Sequence, residues 1–79
     1  MLLKEAISKR IYELCENKNY TPNKLAETSI IPPSTLYDVI KGKTKNPSTY
    51  LIYQICKSLD ITLKDFFNSN LFSHINLDD

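Results

Sequence analysis

The chain contains one glycine, at position 42, and no tryptophan. With a single glycine there is no glycine-rich loop to cradle a phosphate, which excludes the common nucleotide-binding architectures. Asn-Gly and Asp-Gly pairs are absent, as is any strict alternation of apolar and polar residues, so β-hairpins are excluded as the organising unit. No apolar run approaches the roughly 18 residues needed to span a membrane, and Met1-Leu2-Leu3-Lys4 is too short to open a secretory signal, so a cytoplasmic protein is expected. Cysteine is sparse. Cys15 and Cys56 have no CxxC or Cys/His ligand spacing around them, and both read as reduced core residues rather than metal ligands or a redox pair. The single histidine, His74, lies in an acidic tail with no nucleophile or carboxylate pair at workable spacing, so neither catalysis nor a cofactor is expected.

What is present suits one small folded domain. The chain has 79 residues, of which 42% are apolar and 24% charged, enough apolar side chain to form a core but not two. The net charge of +1 conceals a gradient. Residues 1–48 carry eight Lys or Arg against five Asp or Glu, whereas residues 49–79 carry two against four. The cationic half is the half in which the distinctive motif lies.

Apolar residues recur at helical spacing throughout. Leu3, Ile7, Ile11 and Leu14 form one face of a helix from about residue 2 to 18, with Lys4, Glu5, Lys9, Arg10, Glu13 and Glu16 largely opposite. Thr21 caps a second helix, Pro22 to about Thr28, with proline at its first position and Tyr20 placed to staple onto Leu25. A third starts at Pro33, because Pro32 precedes a proline and is driven out of the helical region, and it stops at Gly42. Ser48 caps a fourth, with Ile52, Ile55, Cys56 and Leu59 as its buried stripe. Thr62 and Asp65 form a capping box for a fifth that ends near Asn68, with Ile61 placed to staple onto Phe66. The expected fold is all-α, with a domain at residues 1–68 and a tail at 69–79. Three roles are open to the tail: covering the core, extending a dimer contact, or remaining loose.

The stretch from Thr21 to Gly42 is thus two short helices across a tight turn, and Lys41, Lys43 and Lys45 flank the second. With Leu25-Ala26, Ser34-Thr35-Leu36, the run KGKTKNPS from Lys41 to Ser48, and ICKSLDITL from Ile55 to Leu63, the chain resembles the lambda-repressor-like, or Cro-type, helix-turn-helix family of small DNA-binding regulators. The resemblance covers residues from about 5 to 67. It implies a five-helix domain whose third helix enters the major groove of double-stranded DNA, bound as a homodimer. Pro33, Ser34 and Asp38 fall at positions that meet base edges, with Thr35 and Tyr37 nearby. Leu36, Val39 and Ile40 face inward. Phosphate contacts are expected from Asn23, Lys24, Lys41, Lys43, Thr44 and Lys45, from exposed backbone N–H groups of the lysine loop, and from the N-terminus of the second helix. Phe66, Phe67, Leu71, Phe72 and Ile75 are candidates for the dimer contact, with core packing as their ordinary alternative.

Four departures from the family pattern carry consequences. Pro22 stands where a phosphate-touching glutamine is common, so that contact is lost. Ile30 stands where the turn often carries glycine, so the bend is expected to be strained or opened. The family's buried arginine–glutamate pair falls on Cys15 and Ile40, an apolar exchange that is self-consistent and places the two in contact. Asp60 replaces a frequent glycine at the end of the fourth helix. Two further alternatives remain open. Ser34 and Thr35 either meet bases or satisfy N–H groups in their own helical turn; Asp38 reads cytosine, pairs with Lys41, or repels wrong sequences. The leading function is a sequence-specific DNA-binding regulator, a repressor by the resemblance. The competing one is a protein-interaction module, such as an antitoxin-like partner, working through the apolar tail.

Overall fold

The computed structural model describes residues 1–79, and its elements follow the local signals in order: α1 (Leu3–Asn17), α2 (Pro22–Thr28), α3 (Pro33–Ile40), α4 (Thr49–Leu59), α5 (Leu63–Phe67) and a short 3-10 helix (Asn70–His74), with no strand. The starts of α2, α4 and α5 are set by side-chain caps. Thr21 Oγ1 accepts from Lys24 N at 3.0 Å and Ser48 Oγ from Leu51 N at 3.1 Å. At α5 the box is reciprocal: Thr62 Oγ1 accepts from Asp65 N at 3.0 Å while Asp65 Oδ2 accepts from Thr62 N at 3.1 Å.

Three helices end by one device, a left-handed residue that lets the chain fold back onto the last turn. It is Asn19 after α1 (φ 55°), Gly42 after α3 (φ 73°) and Asp60 after α4 (φ 58°). In each the next N–H reaches back to the last turn: Tyr20 N to Cys15 O at 2.8 Å, Lys43 N to Asp38 O at 2.8 Å, and Ile61 N to Cys56 O at 3.0 Å. Asn and Asp are the residues that tolerate this region best after glycine, which is why one glycine suffices for three such stops.

The apolar stripes meet in one cluster of fourteen buried side chains, drawn from all five helices and from Ile31 in the turn, including Ile7, Ile11, Cys15, Leu25, Leu36, Ile40, Ile55, Leu59 and Phe66. Cys15 and Ile40, the pair replacing the ionic couple, are both in it. Tyr20 and Ile61, the two expected staples, pack against it from the edge. Both cysteines are free and buried. Burial raises both thiol pKa values, that of Cys56 to about 11 with the nearby Asp65 charge adding to the effect.

Two expectations about side chains are corrected here. Arg10 is not a solvated member of the polar face of α1. Its guanidinium closes the end of α5, with Nε donating to Phe66 O at 2.7 Å and an Nη donating to Asp65 O at 2.7 Å, while the other Nη pairs with Glu13. Residue 10 lies three positions after Ile7, on the margin of the buried stripe, so its long stem reaches over the core to the α5 carbonyls. Phe66 is fully buried and so is withdrawn from the dimer candidates. The tail is neither loose nor detached: its 3-10 helix packs on α1, Phe72 packs against the core, and Asn76 N donates to Met1 O at 3.0 Å.

Candidate nucleic-acid interface

The elements converge on α3. Leu36, Val39 and Ile40 are buried, and Ser8 Oγ on α1 donates to Ile40 O at 2.5 Å, so the inner face and the last carbonyl of the helix are both fixed to the core. Its other face stays open: Pro33, Ser34 and Asp38 are exposed, Thr35 and Tyr37 half-exposed. The helix has no side-chain cap because its N-cap is Pro32. The hydroxyls of Ser34 and Thr35 make no hydrogen bond within the chain, and neither do their N–H groups. Satisfying their own helical turn is therefore not their role here, and the first turn of α3 presents unused donors to solvent.

The turn before it is open rather than strained. Ser29 is extended (φ −93°, ψ 150°), and its Oγ accepts from Ile31 N at 3.1 Å. Ile30 is not among the residues with positive φ. A serine side chain and an extended residue do what glycine does elsewhere in the family, and Ile31 turns into the core while Ile30 stays outside.

Three of the four expected phosphate-binding lysines directly follow α3. Lys24 is exposed on α2, and Lys41, Lys43 and Lys45 are exposed on and after α3, with Thr44 half-buried among them. Lys41 does not pair with Asp38. Its Nζ lies 5.9 Å from the centre of the Tyr37 ring, four residues back on the helix, and Arg10–Glu13 is the one salt bridge in the chain. Asp38 is left as an exposed carboxylate without a partner. The Tyr37 hydroxyl hydrogen-bonds Asn23 Oδ1, joining a residue expected at bases to one expected at phosphates. Two sources of phosphate contact are smaller than expected. Lys41, Gly42, Lys43 and Thr44 all spend their N–H groups on carbonyls of α3, so the loop keeps its ammonium groups and only the later N–H groups, of Lys45, Asn46 and Ser48, free. At the start of α2 the Lys24 N–H is taken by Thr21, leaving the Asn23 N–H alone.

The comparisons with known proteins fit this geometry. The family model for the Cro/C1-type HTH DNA-binding domain matches residues 10–70. The chain belongs to that family. This Cro/C1-type domain is similar to the clp gene regulator ClgR from C. glutamicum, with 27% identity and a TM-score of 0.72 over 84% of this chain and 83% of ClgR. It is also similar to the prophage Lp1 protein 11, with 28% identity and a TM-score of 0.80 over 95% of this chain and all of that one. No curated protein matches it. DNA-binding transcription regulation is therefore its class, and no helix is long and apolar enough to cross a membrane.

Proposed function

We propose that this domain is a sequence-specific double-stranded DNA-binding regulator that represses by occupying its operator, with α3 seated in the major groove. The observation that carries the proposal is the open face of α3: the unused N–H and hydroxyl donors of Ser34 and Thr35 and the unpaired carboxylate of Asp38, backed by a rim of free ammonium groups. Asp38 accepts from a cytosine amino group and disfavours bases that present an acceptor there, while Ser34 reads either kind of edge. Pro33, Thr35 and Tyr37 supply contact at the groove floor. Lys24, Lys41, Lys43 and Lys45, with Asn23 and Thr44, hold the phosphates and provide most of the affinity.

The domain binds as a twofold homodimer on half-sites about 34 Å apart. Phe67, exposed at the end of α5, with the half-buried Leu71, Phe72 and Ile75 beside it, is the apolar surface that supports the contact. The same surface favours the second reading, a partner-protein module. Selection of bound fragments from random DNA separates the two. The proposal expects a recovered palindrome with half-sites one helical turn apart; recovery of no sequence at low salt rejects it.

A further inference from the structure

The recess between the first turns of α1 and the end of α3, of about 390 Å³, is lined by Leu2, Lys4, Glu5, Ser8, Lys9, Lys41 and Gly42. Its three lysines have no ion-pair partner. Its one acid is committed elsewhere, since Glu5 Oε1 accepts from Leu2 N at 2.8 Å at the start of α1. The Leu3 N–H at this end of α1 is taken by the tail, donating to Asp79 Oδ2 at 2.5 Å, so the recess offers its lysines rather than backbone donors. Lys41 belongs to both surfaces, lining the recess on one side and the rim of α3 on the other. The floor is rigid. Ser8 Oγ is bonded to Ile40 O, and Gly42, which ends α3 at positive φ, lies in van der Waals range of Ser8.

We infer that this recess is a second phosphate-binding surface, on which Lys4 and Lys9 of α1, continuing from Lys41, hold the DNA backbone beyond the groove that α3 enters. The inference rests on the DNA-binding reading and extends it to a helix outside the two-helix motif. An eight-residue helix is about 12 Å long, similar to the width of the major groove, so the end of α3 lies close to a phosphate strand and the recess beside it faces the phosphates that follow. Lysines in such a place act as point charges: they add affinity without sequence preference, and each contributes a slope of about −0.9 to log K against log salt.

The test compares Lys4→Gln/Lys9→Gln with Lys43→Ala/Lys45→Ala and the unaltered chain in duplex titrations from 50 to 200 mM salt, with the fold checked by circular dichroism. The inference expects the α1 variant to lose affinity equally for all duplexes and its slope to flatten by about two per protomer, so that the unaltered chain loses roughly tenfold more affinity per protomer than the variant across that range. An unchanged slope overturns it, and so does inorganic phosphate shifting the Lys4 and Lys9 resonances while the slope is unchanged, because the recess is then a free-anion site. If the loop variant loses binding and the α1 variant does not, the inference fails while the DNA-binding reading stands. If neither variant loses binding, both fail.

Discussion

Asp65 illustrates how one residue can serve both a helix start and a pH response. Its carboxyl is held below the usual carboxylate range first by the backbone N–H of Thr62 and then by the Thr62 hydroxyl, with Lys64 and Arg10 adding smaller contributions. A carboxylate whose folded pKa is lowered contributes stability above its unfolded value, near pH 4, and loses it as pH falls through the folded value. Asp65→Asn is therefore expected to melt lower than the unaltered chain at pH 7, with the difference shrinking below about pH 4, as thermal unfolding across that range would show. Both residues of this box were legible in the sequence because S/T-x-x-D/E is a local pattern. Arg10 was not, because its partners are backbone carbonyls more than fifty residues away, which leave no side-chain signature. The pairing of Tyr37 with Asn23 was hidden for the same reason: each was picked out singly, and only the packing of α2 on α3 brings them together.

At the scale of elements, the boundaries were legible wherever a proline, a capping hydroxyl or the lone glycine marks them. Pro22, Pro33, Ser48 and Thr62 each stand at a helix start, and Gly42 and Asp60 at two of the ends. Asn19 makes the third stop without having been singled out, although asparagine is the usual substitute for glycine there. At Ile30, where glycine is common, the expected bend was strained or opened; it is opened, and Ser29 supplies it with its own side chain. In the lysine loop the fold-back that ends α3 consumes the N–H groups of Lys41 to Thr44 and leaves those of Lys45, Asn46 and Ser48 exposed. The joint between α1 and α5 depends on Arg10, whose side chain is 11% exposed. Hydrogen bonds to a charged group contribute about 1.5–3 kcal/mol, so Arg10→Gln is expected to destabilise the fold by an amount of that order in urea unfolding, while a change under 0.5 kcal/mol would assign the joint to apolar packing alone.

Over the whole molecule, a core of fourteen side chains fixes a platform that carries exposed lysines beside α3 and a cluster of aromatic rings at α5 and the tail. Phe67 and Phe72 stack outward from buried Phe66 with ring centres 5.0 Å apart, and the tail carrying Phe72 is tied back to Met1. Because the tail belongs to the packed structure, a point change probes the dimer more cleanly than truncation. Under the proposed homodimer, Phe67→Lys is expected to run as a monomer in light scattering where the unaltered chain runs as a dimer, with the helical signal retained; a variant dimer of unchanged mass would place the contact elsewhere, and a monomeric unaltered chain would contradict the dimer. The central claim is that the open face of α3, framed by ammonium groups, enters duplex DNA. The most direct measurement is the affinity for a selected duplex as a function of salt, for the unaltered chain and for Lys43→Ala/Lys45→Ala. With three to five phosphates neutralised per protomer, the slope of log K against log salt is expected at about −3 to −4.5 for each protomer bound, flattening by about two per protomer in the variant. No association in dilute buffer, or a slope near zero, would contradict it.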